Sequence, residues 1–133
     1  MKTVRKKILI VDDEAGFAMI LKIALEETGE YDVKVETSGV KGYAAAQVFK
    51  PDLVLLDIRM PDCSGPQIAA KIRENQELKD TPMIFVSATP FEETVKHFSG
   101  KITGYPYITK PAGSEEIIHC IKQVLKDNGG KSR

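Results

Sequence analysis

Five polar residues follow directly after short apolar runs, and their types suit phosphoryl-transfer chemistry. They are Asp12, Asp13, Asp57, Ser87 and Lys110. Neighbouring carboxylates repel one another and raise one another's pKa values unless a cation lies among them, and oxygen ligands of this kind suit Mg²⁺ or Mn²⁺. Because Mg²⁺ is commonly held by one or two protein carboxylates together with waters and phosphate oxygens, one carboxylate is left to act as a nucleophile.

Asp57 is the predicted nucleophile, because it ends the strand whose apolar run, residues 53–56, predicts a central position in the sheet. Attack of its carboxylate on phosphorus would give an aspartyl phosphate, and the metal, Lys110 and Ser87 would stabilise the added charge. Taken singly, such residues have ordinary structural roles, since Asp often caps a helix and Ser often lies in a turn. Their shared position at the ends of apolar runs favours the chemical interpretation.

The elements that must position these residues alternate along the chain. Strands are predicted at residues 8–11, 32–37, 52–57, 82–86 and 105–109, and a helix follows each, the fourth at residues 91–98. Gly29 and Pro51 are predicted to end the first two helices, and Ser64 and Ser114 to cap the third and fifth. This pattern predicts an α/β fold, a doubly wound five-stranded parallel sheet of the flavodoxin-like type with strand order 2-1-3-4-5 and helices on both faces.

Length and composition exclude several classes of protein. The 133 residues predict one domain, residues 1–133, with a core at about 7–126 and a polar tail or the start of a linker at 127–133. The 19 basic and 19 acidic residues cancel and the basic residues are scattered, so we expect no direct nucleic acid binding. No apolar stretch approaches the roughly 20 residues of a membrane helix and the N-terminus is unlike a signal peptide, so we expect a cytoplasmic protein with no membrane partner. Cys63 and Cys120 are expected to stay reduced.

The sequence resembles the receiver domain of bacterial two-component response regulators over residues 7–126. Four motifs carry the resemblance: Val-Asp-Asp-Glu at 11–14, Asp-Ile-Arg-Met-Pro at 57–61 followed by Gly65, Ser-Ala at 87–88, and Lys-Pro at 110–111. The resemblance implies that Asp57 accepts a phosphoryl group from the phosphohistidine of a histidine kinase or a phosphotransfer protein. It also implies a phosphorelay switch that phosphorylates itself and loses the group by autodephosphorylation, and that is not otherwise an enzyme.

The resemblance also assigns the metal ligands. Asp13, Asp57 and the backbone carbonyl of Arg59 would hold the metal, and Asp12 would bind it mostly through water. Arg59 and Thr89, two residues beyond the acceptor and two beyond the hydroxyl, match positions that tune hydrolysis in the family. We expect slow dephosphorylation from this pair.

Phosphate binding and the conformational switch follow from the same resemblance. Ser87, the backbone of Ala88 and Lys110 would bind the phosphate, and a cis Lys110–Pro111 bond would place the ammonium over it. Ser87 would turn in to the phosphate while Tyr107, three residues before the lysine, rotates inward. The face made by the fourth helix, the fifth strand and the fifth helix would then contact a downstream protein or pair two copies into a homodimer.

The sequence departs from the family pattern near the fifth strand. Residues 99–106 replace the commoner Gly-Ala-Asp pattern, and Pro106 cannot donate a ladder hydrogen bond. An edge strand tolerates such a proline, but the departure puts the shape of the output face in doubt.

Other classes of function fit the residues less well. A phosphatase of the dehalogenase type expects a second Asp two residues beyond the nucleophile, where this chain has Arg59. A nucleotide-binding module expects a glycine-rich turn after the first strand or a Gly-Lys-Ser/Thr phosphate loop, and the sequence has neither. Two alternatives stay open: a receiver that docks without being phosphorylated, and the receiver part of a longer response regulator or hybrid kinase.

Overall fold

The computed structural model describes residues 4–89, 93 and 104–131. Its strands are β1 (Lys6–Val11), β2 (Tyr31–Glu36), β3 (Leu53–Leu56), β4 (Met83–Ser87) and β5 (Tyr107–Thr109). The four helices bounded within these residues are α1 (Ala15–Glu27), α2 (Gly39–Phe49), α3 (Gly65–Glu74) and α4 (Ser114–Lys131). The helix predicted at residues 91–98 lies outside the described residues, except for Glu93.

The five strands form one parallel sheet in the order β2-β1-β3-β4-β5, which confirms the predicted fold class. Strand β3 lies at the centre, and all four of its residues are buried, as its unbroken apolar run predicts. Leu53 and Leu55 pack on the face covered by α1 and α4, whereas Val54 and Leu56 pack on the face covered by α2 and α3. Burying each such side chain contributes about 1.5–3 kcal/mol, so β3 holds both layers together.

The predicted helix ends are largely confirmed. Gly29, just beyond α1, has φ of +79°, and Lys50 before Pro51 ends α2 in the left-handed region at φ of 51°. Ser64 caps α3 in a capping box, because its hydroxyl accepts the Gln67 N–H and the Gln67 side chain accepts the Ser64 N–H.

The bounds of β1 to β4 differ from the prediction by one or two residues, and larger or more informative differences occur at β5 and α4. Strand β5 begins at Tyr107 rather than at residue 105, because Pro106 has no N–H, although its carbonyl still accepts the Phe85 N–H at 2.9 Å. The predicted cap at Ser114 is wrong by one residue, since Ser114 is already helical and the Gly113 carbonyl accepts the Ile117 N–H at 3.2 Å. Helix α4 also continues to Lys131, past the predicted end of the core at residue 126.

Gly65 closes the loop that leads from β3 to α3. Its N–H donates to the Ile58 carbonyl at 2.8 Å, and a Cβ atom at this position would lie 2.2 Å from the Asp57 carbonyl oxygen. Such a contact is with backbone, which no side-chain rotation relieves. The position therefore requires glycine.

We predict that Gly65→Ala lowers the free energy of unfolding by about 1–3 kcal/mol or more, because the added methyl forces the loop away from Asp57. Urea unfolding of the purified variant measures this change. Gly16→Ala is the matched control: a Cβ at Gly16 meets nothing within 4 Å, and alanine in α1 should raise stability by up to about 1 kcal/mol. Equal effects of the two substitutions would contradict the close-approach argument.

Candidate functional site

The carboxyl ends of four strands meet at one edge of the sheet and bring the predicted residues together. Asp12 and Asp13 follow β1, Asp57 follows β3, Ser87 ends β4 and Lys110 follows β5. A cleft of about 210 Å³ opens there, and it is lined by Asp13, Glu14, Asp57, Arg59, Ser87, Ala88, Thr89 and Lys110. The chain adds β2 on one side of β1 and β3 on the other, so the direction of winding reverses between β1 and β3. Ligand crevices in doubly wound sheets form at such a reversal.

Three carboxylates form the acidic part of this site. One oxygen from each of Asp12, Asp13 and Asp57 lies within 4.8 Å of the others. Asp12 and Asp57 are buried and Asp13 is exposed, so the cluster opens to solvent on the Asp13 side. Backbone N–H groups orient the buried pair: Asp12 Oδ1 accepts from Glu14 and Asp57 Oδ1 accepts from Ile58, each at 2.8 Å.

The electrostatics of this cluster call for a cation. Burial first, and then the charge of Asp12, raise the pKa of Asp57 to about 7. Burial also raises the pKa of Asp12 above its ordinary value, although hydrogen bonding to Lys110 opposes the change. A divalent ion among the three carboxylates would favour their charged forms, and hard oxygen donors with one open side fit Mg²⁺ or Mn²⁺.

Lys110 completes the charge balance on one side of the cluster. Its Nζ lies 2.8 Å from Asp12 Oδ2, 2.5 Å from Glu14 Oε1 and 4.4 Å from the centroid of the Phe17 ring. Burial works to lower the pKa of Lys110, but the bonds to Asp12 and Glu14 outweigh it and raise the pKa above its ordinary value. The Lys110–Pro111 peptide bond is cis, as the resemblance to the family implies.

Glu14 and Phe17 are contacts that sequence reasoning missed. Glu14 stands in the Val-Asp-Asp-Glu motif and Phe17 one helical turn later, so both lie at the start of α1 above the acidic pair. Glu14 is the N-cap residue of α1 and Phe17 lies in its first turn, so the signal that could have found them is their place at the helix start that directly follows the acidic pair.

Thr89 joins the predicted hydrolysis-tuning residue Arg59 to the predicted switch residue Tyr107. The Arg59 Nε donates to the Thr89 hydroxyl at 3.3 Å, and the Tyr107 hydroxyl donates to the Thr89 carbonyl. The Thr89 N–H in turn donates to the Ser87 hydroxyl at 3.3 Å. Contacts to Thr89 thus connect the mouth of the cleft, the hydroxyl of β4 and the side chain of β5.

Asp62 anchors the loop after Asp57 to the start of α2. Its carboxylate accepts hydrogen bonds from the Ser38 hydroxyl at 2.7 Å, the Gly39 N–H at 3.0 Å and the Val40 N–H at 2.9 Å. The two N–H groups are among those that a helix N-terminus leaves without helical partners. The bonds from Val40, Ser38 and Gly39 lower the pKa of Asp62 to about 2.

Comparison with known proteins identifies the family. The model of the response regulator receiver domain matches residues 8–122. The chain belongs to this receiver family. It is 36% identical over 119 residues to PilH of Pseudomonas aeruginosa, an alignment that covers 90% of this chain and 97% of PilH.

Other relatives are longer than the receiver. The chain is 35% identical to the phosphate regulon transcriptional regulatory protein PhoB of Pseudomonas aeruginosa, covering 95% of this chain and 54% of PhoB. It spans about half the length of the first transcriptional regulators that it matches. A CheY-like receiver domain from Methanospirillum hungatei shares the fold, with a TM-score of 0.86 and 27% identity over 97% of this chain and 100% of that one.

The family assignment favours the phospho-acceptor interpretation over the dehalogenase-type phosphatase and the nucleotide-binding module. Receiver domains are signalling modules rather than ordinary enzymes. Within the described part of the chain, no helix is long and apolar enough to span a membrane.

We predict that the Asp62 contacts stabilise the receiver in a pH-dependent way. The pKa of Asp62 in the folded protein, about 2, lies below its ordinary value of 3.8, so the stabilisation is fully present above pH 3.8 and is lost as the pH falls through about 2. Urea unfolding should show that Asp62→Asn is less stable than wild type above pH 3.8, with the difference shrinking towards pH 2. A difference that stays constant over this range would contradict the role of the charge.

Proposed function

We propose that this receiver is a phosphorelay switch in which Asp57 accepts a phosphoryl group from the phosphohistidine of a histidine kinase or phosphotransfer protein. The observation that carries the proposal is the convergence of three carboxylates, the Ser87 hydroxyl and the Lys110 ammonium at one edge of the sheet. Asp57 is the acceptor because it ends the central strand at the middle of this group. Asp12 is already paired with Lys110 at 2.8 Å, and Asp13 is exposed.

The proposed reaction uses the carboxylate of Asp57 directly. Its Oδ1 accepts the Ile58 N–H, which leaves Oδ2 as the oxygen that would attack. The bond from Oδ2 to phosphorus forms as the bond from phosphorus to the donor imidazole breaks, and the imidazole leaves with the bonding electron pair. Lys110, the Ser87 hydroxyl and the Ala88 backbone N–H would then bind the phosphoryl oxygens.

A divalent metal fits the acidic side of this site. Asp13, Asp57 and the backbone carbonyl of Arg59 would hold Mg²⁺ or Mn²⁺ directly, with Asp12 binding through water. The ion would supply neutralisation of the phosphoryl charge. Its removal by a chelator should therefore block phosphorylation.

The proposed readout begins at Tyr107. Ser87 would turn towards the phosphoryl group, and Tyr107 would rotate inward, which would break its bond to the Thr89 carbonyl. Ring signals of Tyr107 that are identical before and after phosphorylation would contradict this rotation. The face built from residues 91–98, β5 and α4 would then bind a downstream protein or a second copy of the chain, in the cytoplasm and without direct contact to nucleic acid or membrane.

We predict that acetyl phosphate with Mg²⁺ adds one phosphoryl group to the wild-type protein and none to Asp57→Ala. Asp57 supplies the attacking oxygen, and the metal offsets the charge of the incoming phosphoryl group. Intact-mass spectrometry of each protein with and without Mg²⁺ measures the adduct.

Asp32→Ala is the matched control for this experiment. Asp32 also lies at a strand, β2, but it pairs with Arg5 at the surface rather than with the cluster. It should be phosphorylated like wild type. No adduct on the wild-type protein would favour a receiver that docks without phosphorylation. An adduct on Asp57→Ala would show that a residue other than Asp57 accepts the phosphoryl group.

We predict that the contact between Arg59 and Thr89 slows autodephosphorylation by restricting the approach of water to the aspartyl phosphate. Arg59→Asn and Thr89→Ala should each shorten the lifetime of the phosphorylated protein by about two- to tenfold. This range corresponds to the net free-energy contribution of one hydrogen bond, about 0.5–1.5 kcal/mol. Decay of the adduct after removal of acetyl phosphate gives these lifetimes. Time courses indistinguishable from wild type would refute the role of this contact.

A further inference from the structure

Three side chains contact the ammonium of Lys110, and two of them, Glu14 and Phe17, have no role in the proposed phosphoryl transfer. The side chain of Lys110 is only 9% exposed, and its Nζ contacts Asp12, Glu14 and the face of the Phe17 ring. A cation within about 6 Å of an aromatic ring centroid is attracted by the ring. Two carboxylates and one aromatic ring therefore hold the ammonium on the β1–α1 side.

Asp57 is not among the ion-pair partners of Lys110 in the described part of the chain. It acts on the lysine through its charge alone, whereas Asp12 and Glu14 form hydrogen bonds with it. A phosphoryl group on Asp57 would need the ammonium as a partner, so phosphorylation would have to draw Lys110 away from at least one of its present contacts.

Glu14 is the contact that can be given up. Asp12 is buried, with a side chain 4% exposed, and releasing its charge inside the protein would be costly. The Glu14 side chain is 61% exposed, so it can turn to solvent and be hydrated when the lysine moves.

We propose that Glu14 is a positioning residue that holds Lys110 in a resting position and competes with the phosphoryl group on Asp57 for the ammonium. Phe17 supports this resting position, because its ring covers the remaining side of Nζ. The inference rests on the proposed function, since the competing group is the phosphoryl group of Asp57. Breaking the contact between Glu14 and Lys110 adds an energetic cost to phosphorylation, and this cost depends on how closely the Glu14 carboxylate approaches the ammonium.

The contact that the length of the Glu14 side chain permits with Lys110 must be separated from the effect of the Glu14 charge on the binding of an anion. Glu14 lines the cleft, so its negative charge would also repel an anionic ligand without touching Lys110. Glu14→Gln removes the charge and weakens the contact. Glu14→Asp keeps the charge but is one methylene shorter, so it withdraws the carboxylate from Lys110.

The test is a titration of the purified protein with beryllofluoride and Mg²⁺, followed by ¹H–¹⁵N NMR, since this fluoride complex mimics a phosphoryl group on a carboxylate. We expect Glu14→Asp and Glu14→Gln each to bind about two- to fivefold more tightly than wild type, the range that corresponds to an exposed ion pair. Glu77→Gln is the matched control, because Glu77 pairs with Lys50 at 3.5 Å away from the cleft, and its affinity should equal that of wild type.

The outcomes separate the inference from the proposed function. Tighter binding by Glu14→Asp supports competition, since a merely structural disturbance would weaken binding. Tighter binding by Glu14→Gln alone would show charge repulsion and overturn the inference, as would unchanged or weaker binding by Glu14→Asp. Wild-type protein that binds no beryllofluoride would overturn both the inference and the proposed function.

Discussion

The site depends on one constraint: three carboxylates, two of them buried, lie close together at the carboxyl ends of the strands. Val11 of β1 pairs with Leu56 of β3 in the parallel ladder, so the residues that follow them, Asp12 and Asp57, emerge side by side. Neither can withdraw without breaking hydrogen bonds between central strands. The repulsion between them must be offset by cations, and Lys110 supplies one from the neighbouring edge of the sheet.

The loop after Asp57 is held in two places, which fixes its path beside the acidic cluster. Gly65 draws the loop back against the backbone of residues 57 and 58, and Asp62 anchors its outer part to α2. Arg59 lies between these two attachments. The Arg59 backbone carbonyl, which is the metal ligand under the proposed function, is therefore carried by a loop that is attached on both sides of it.

The sequence predicted the fold and the five central residues of the site because both follow from strand ends. Apolar runs locate the strands, and parallel strands must present their carboxyl ends at one edge. Asp12, Asp13, Asp57, Ser87 and Lys110 were therefore found without knowledge of any side-chain conformation. Residue chemistry alone indicated a nucleophile, a metal and charge stabilisation, whereas the phosphohistidine donor and the division of metal ligands rest on the resemblance to the family.

The remaining features depend on geometry that spacing does not encode. The contacts of Glu14 and Asp62 require particular rotamers and loop paths, and the partners of Asp62 lie more than 20 residues away in the chain. The helical backbone through Gly129 and Gly130 was predicted as a polar tail from its composition. Helix formation propagates cooperatively from a packed segment, so local composition alone placed the end of α4 too early.

Under the proposed function, the shared contacts of Thr89 would link the lifetime of the phosphorylated state to the packing of the output face. The hydroxyl of Thr89 contacts Arg59 at the mouth of the cleft, while its carbonyl accepts from Tyr107 on β5. A substitution that shifts this residue would alter both the access of water and the packing of the output face. Under that function, a substitution at Thr89 would change the lifetime of the phosphorylated state and the surface around β5 together, so the two properties would not vary independently.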